Sequence, residues 1–123
     1  MTKPHTFDGD ALATTNDYVD VPITTIGGTP RSEFLTTTSS GPISVNWHNT
    51  GADTINTRVL GGNNVDMDDD DKSVVSAIAT IAADASRHIE IPIAYFQFYW
   101  FQHESTVDDT PGESTFYGRH SRV

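Results

Sequence analysis

Apolar and polar positions alternate most cleanly at Ile43, Val45 and Trp47, and again at Ile55, Thr57 and Val59, with polar residues between them. This period of two lays one face of a strand on a core. A short loop holding Gly51 joins the two segments, so the pattern predicts an antiparallel hairpin. Segments of strand length rich in Val, Ile, Thr and aromatics also cover Tyr18–Thr25, Glu33–Thr38, Arg87–Ile91 and Tyr95–Glu104. Turn signals separate them, at residues 27–30, 39–42, 49–53 and 61–64. Residues 1–17 hold no sustained period and read as an arm, followed by one domain over 18–123. The sum is an all-β chain, an antiparallel β-sandwich of jelly-roll or immunoglobulin-like kind with about seven or eight short strands.

Residues 73–85 fit this scheme less well. Val74, Val75, Ile78, Ile81, Ala82 and Ala85 fall at helical spacing, and Ser73 after an acid run is a fair helix cap. The β-branched residues from Ile78 to Ile81 favour a strand over about 77–83, preceded by at most one helical turn, with residues 84–86 closing a hairpin onto Arg87–Ile91.

The chain has 123 residues, enough for one domain with a real core. It lacks cysteine, which excludes a disulfide scaffold, a thiol nucleophile and cysteine-ligated metal. The apolar stretches near the N-terminus span only a few residues, so neither a signal peptide nor a membrane span is expected. Seven basic residues stand against 17 acidic ones, for a net charge of -10, which argues against a nucleic-acid surface. Thirteen of those acids are Asp, and lysine occurs only at positions 3 and 72. Such a chain repels itself in dilute buffer and is relieved at molar salt, where the Debye length falls to about 3 Å. The composition therefore resembles that of proteins from salt-loving organisms.

No catalytic signature appears. The acids Asp66, Asp68 and Asp70 alternate as calcium-loop ligands do, but Asp71 stands where such a loop needs glycine and Ala77 where it needs an acid. A solvated loop is the simpler reading. His5, His48, His88, His103 and His120 have no metal-ligand spacing, and no nucleophile elbow or phosphate loop is present. The expectation is a non-enzymatic protein without a cofactor or metal.

Residues 95–101 read Tyr-Phe-Gln-Phe-Tyr-Trp-Phe. As a strand they place Phe96, Phe98 and Trp100 on one face, and Tyr95, Tyr99 and Phe101 on the other. One sandwich core takes one face, so the second set is expected at a subunit contact. Phe96, Phe98 and Trp100 are assigned to the core and Tyr95, Tyr99 and Phe101 to the interface. Arg119 and Arg122 put positive charge at the end of an acidic chain and form a candidate docking tail.

The run ISVNWHNTGADTINTRVLGG, then ATIAADASRHIEIP, then AYFQFYWFQHES and a last strand STFYG resembles small β-sandwich virion proteins of tailed viruses over about residues 40–118. The resemblance implies a capsid decoration, turret or tail component in multiple copies, with copies of itself and other virion proteins as partners and neither nucleic acid nor membrane bound. With the acidic composition it implies a haloarchaeal virus, and a virion protein made in the host cytoplasm. The alternative is a carbohydrate- or surface-binding module that uses exposed Tyr and Trp.

Overall fold

The structure is a computed structural model that describes residues 5–13, 18–26, 34–37, 39–106 and 112–121. Among them are ten strands: β1 (His5–Ala13), β2 (Val19–Asp20), β3 (Ile23–Ile26), β4 (Leu35–Thr36), β5 (Ile43–Asn49), β6 (Ile55–Gly62), β7 (Ser73–Ile81), β8 (Ser86–Ile91), β9 (Phe98–Ser105) and β10 (Gly112–His120). One sheet has the order β3-β1-β10-β5-β8 and the other β2-β9-β6-β7, with β4 pairing β9 further along the same side as β2. Every pairing is antiparallel.

The pairings β1·β10, β2·β9, β5·β8 and β6·β7 nest inside one another. That is one long hairpin rolled up on itself, the jelly roll. Residues 63–72, with a single 3₁₀ turn at Asp69–Asp71, are the tip of the rolled hairpin. The acid run therefore lies where the chain reverses, in solvent, as a loop between two strands.

Two sequence expectations change. Residues 5–13 of the expected arm are β1, held between β3 and β10 in a ladder that runs from His5↔His120 to Ala13↔Gly112. Phe7 explains the docking: its ring lies 5.8 Å from both Phe101 and Phe116 at the centre of the core. Gly118 makes the room, because a Cβ there would run into the Phe7 ring. The rest of that arm, residues 1–4 and 14–17, and the turn at 27–30 lie outside the described residues.

The expected hairpin between β5 and β6 is instead an arch from one sheet to the other, as is the link from β7 to β8. Both odd-numbered apolar faces are buried, so they pack toward each other across the core rather than side by side in one sheet. Buried Asn49 fastens both arches. Its amide donates to the carbonyls of Asp53 and Ile81, and its side-chain oxygen accepts from the Gly51 N–H. Its backbone exchanges hydrogen bonds with Asp84 and Ala85.

Residues 73–81 form a strand, not a helix. Two register shifts against β6 insert extra residues in β7, and these break the alternation. The core joins Trp47, Phe7, Phe101 and Phe116, with ring centroids 5.1–6.2 Å apart. Each large side chain so buried stabilises by roughly 1.5–3 kcal/mol.

Candidate functional site

The aromatic segment is the first place to look for an interaction surface. Tyr99 and Phe101 face inward and are buried in the core. From residue 98 on the expected faces are thus reversed: Phe98 and Trp100 point outward from the second sheet, and Tyr99 and Phe101 do not form a surface contact, while Phe96, ahead of the strand, packs against the core as expected. Tyr99 has further reason to stay inside, since the Phe96 N–H donates to its hydroxyl at 3.0 Å. Burial pushes its phenol above the ordinary value.

Trp100 nevertheless stays dry. The Phe34 ring lies 5.8 Å away and the Lys72 ammonium 4.1 Å above its ring. Lys72 is held there by Asp69 at 2.6 Å, and Asp69 also accepts from Arg58 and Gln102. Burial alone would raise the Asp69 carboxyl, but the hydrogen bonds of Lys72 and Gln102 and the charges of Lys72 and Arg58 outweigh it and hold it below the carboxylate range. The tip of the rolled hairpin therefore folds over the outer face of the second sheet as a clasp. With Trp47 in the core and Trp100 covered, neither tryptophan is free to stack on a sugar.

Of the interface candidates, Tyr95 remains at the surface, 77 % exposed in the loop between β8 and β9. Val74 (68 %) on β7 and Ile93 (45 %) are exposed beside it, and Ile78 (59 %) is exposed further along β7. A groove of about 300 Å³ runs among Val74, Ile93, Tyr95 and Phe96. The set lies where both sheets end, β7 being the edge of one and β8 the edge of the other. Sequence reading missed Val74 and Ile78 because their spacing looked helical; the β-branched residues were the available signal.

Arg119 is not in a tail. It lies in β10, exposed on the outer face of the first sheet, while Arg122 is outside the described residues. His120 beside it points inward and is buried.

The acids Asp66, Asp68 and Asp70 do not converge: the Asp66 N–H is taken by the Asn64 side chain, and among the described residues no group of three His, Asp or Glu is placed to hold a metal ion. Two histidine arrangements were not foreseen. His48 shares a hydrogen bond with Ser86 at 2.7 Å through Nδ1 and meets Asp84 at 3.2 Å through Nε2. The order of residue types is that of a nucleophile, base and orienting acid, but the Asp84 carboxylate is 95 % exposed, so water competes for every bond and the serine gains no basic partner of fixed orientation. His103 is the opposite case, fully buried on β9 with Nδ1 on the Ser114 hydroxyl at 2.9 Å and Nε2 without a partner. Desolvation lowers its pKa to about 4, so it is neutral at pH 7.

No helix among the described residues is long and apolar enough to cross a membrane. No protein-family model matches the chain, and no curated protein does. Among solved structures the fold is similar to PirA (15 % identity, TM-score 0.57, covering 92 % of this chain and 93 % of that one). It is also similar to the globular domain of the zebrafish complement 1qA protein (12 % identity, TM-score 0.54, 99 % and 100 % covered). A third similar structure is the PRD1 vertex protein P5 (13 % identity, TM-score 0.54, 99 % and 98 % covered). At these identities the likeness is one of fold, and the chain is a jelly-roll β-sandwich.

Proposed function

We propose that this chain is a non-enzymatic structural protein of a virion, present in many copies as a capsid decoration, turret or tail component of a halophilic tailed virus. The observation that carries the reading is the apolar set Val74, Ile93 and Tyr95, which line one groove at the β7–β8 side of the roll. Three large apolar side chains grouped in water mark an interaction site. β7 itself carries no charged residue from Ser73 to Ile81, while the whole chain carries -10. Across the uncharged β7 two such acidic molecules meet with less repulsion than their net charge would otherwise give. The likeness to a vertex protein of a virus supports a place in a particle, and the excess of Asp supports a salt-rich one.

Sedimentation in molar salt tests the reading. The wild-type chain should associate; Tyr95→Asp should stay folded and associate less, because its new charge would be desolvated only in the complex. Tyr99→Asp should lose folding, which separates the surface aromatic from the buried one. A wild-type chain that remains monomeric at all salt and protein concentrations overturns the proposal. Mass spectrometry of purified halophilic virions for this chain, with its copy number, then tests the particle itself.

A further inference from the structure

The outer face of the first sheet is polar, and its register gives it an unusual property. Across β10, β5 and β8 the ladder places Arg119, Ser44 and Glu90 in one row. The next row is Tyr117, Asn46 and His88. Strands are about 4.8 Å apart, so Arg119 and Glu90 flank Ser44 at equal distances, one on each side. Both are exposed, and neither is in an ion pair among the described residues. Tyr117 stands above the face at 63 % exposure.

A two-fold axis laid along β5, between two copies stacked face to face, exchanges left for right and keeps each row in place. It sets Arg119 of each copy over Glu90 of the other, and Tyr117 of each over His88 of the other. Ser44 and Asn46 meet their own counterparts on the axis. The face is therefore complementary in charge to itself, which is the requirement of an isologous contact. We infer that the outer face of the β10-β5-β8 sheet is a two-fold interface with a second copy of this chain, anchored by Tyr117 and set in register by reciprocal Arg119–Glu90 pairs. The inference shares with the function proposed above the premise that copies associate; its face meets the Tyr95 edge at Glu90, which borders both, so Arg119→Glu and Tyr117→Ala are the variants that tell the two apart. A particle component in many copies needs more than one kind of contact, and this supplies the closed one.

Charge exchange tests it, read by sedimentation equilibrium at moderate salt. Glu90→Arg alone and Arg119→Glu alone should each weaken association about tenfold or more, because each sets like charges opposite one another twice. The double variant Glu90→Arg with Arg119→Glu should restore it, and Tyr117→Ala should weaken it without changing the melting temperature much. If association follows net charge instead, Glu90→Arg strengthens it and Arg119→Glu weakens it, and the inference falls. It falls equally if none of these variants changes association while Tyr95→Asp does, an outcome that leaves the open-edge reading standing. If the exchange behaves as expected and Tyr95→Asp has no effect, the face is the contact and the edge is not. A chain monomeric under every condition removes both.

Discussion

Acid should unfold this protein through one imidazole. His103 is fully buried on β9, opposite Thr57 of β6, and its one hydrogen bond goes to Ser114. No carboxylate contributes to its titration; desolvation alone brings the pKa from 6.5 to about 4. In the unfolded chain the same group titrates near its ordinary value, about 6.5. Between those two pH values the unfolded state binds the proton that the folded state refuses, so stability falls as pH falls from about 6.5 to about 4 and is fully present above that window. At about 1.36 kcal/mol per pH unit the loss amounts to about 3 kcal/mol, a large part of the stability of a small domain. The 17 acids complicate a direct measurement, since protonating them relieves repulsion over part of the same range. His103→Gln isolates the effect: it retains a hydrogen-bonding side chain for Ser114 and has no charge to gain. Urea unfolding of both proteins across the window gives the difference in stability at each pH. That difference should move against the wild type by about 3 kcal/mol from the top of the window to the bottom. Parallel curves for the two proteins would refute the reasoning and place the acid response elsewhere.

Three further outcomes follow from the same geometry. Asn49→Ala should cost about 2–4 kcal/mol in urea unfolding, because it leaves buried carbonyls of the two arches without donors; a loss below 1 kcal/mol would show that water replaces the amide. Gly118→Ala should lower stability by about 1–3 kcal/mol, since the new methyl meets the Phe7 ring, and Phe7→Leu in the same chain should recover part of it. The melting temperature should rise from dilute buffer to molar potassium chloride, as screening removes the repulsion of a net charge of -10; a flat or falling curve would sink the salt-adapted reading.

The alternation in β5 and β6 was legible because each strand has one apolar and one polar face. Which sheet each belongs to was not, since a loop of five residues serves a hairpin and an arch alike; the choice rests on Asn49, whose bond to residue 81 is distant in sequence. In β9 aromatics occupy both faces, so periodicity gives no parity. The deciding signal lay further along: Glu104 shares its parity with Trp100, and an inward Trp100 would have buried that carboxylate, whereas His103 and Ser105 are tolerated inside. β1 escaped notice because Asp8 and Gly9 interrupt its pattern, and Gly9 leaves the space a side chain would take from Phe116 and the Pro22 carbonyl. Of the two proposed contact surfaces, the sequence pointed only to Tyr95 and, as a tail residue, to Arg119, since the register that gives Arg119 its row is a property of three strands far apart in sequence.

The two sheet edges on the β7–β8 side of the roll are built differently, and the difference bears on what kind of assembly they permit. β8 ends the first sheet with His88 and Glu90 facing out, and Arg87 reaching across to the Thr57 hydroxyl of the second sheet. Its charges discourage another strand from pairing there. β7 ends the second sheet without a single charge, which by itself would invite open-ended pairing and fibres. Its two register shifts against β6 counter this, because bulges twist an edge away from the straight backbone a new strand requires. What remains available on β7 is side-chain contact through Val74 and Ile78 and not backbone pairing. Contact of that kind depends on shape and, where its symmetry is closed, stops at a set number of copies. A component that must stop at a defined stoichiometry needs an edge that is apolar in its side chains and unfit in its backbone, and β7 has both properties.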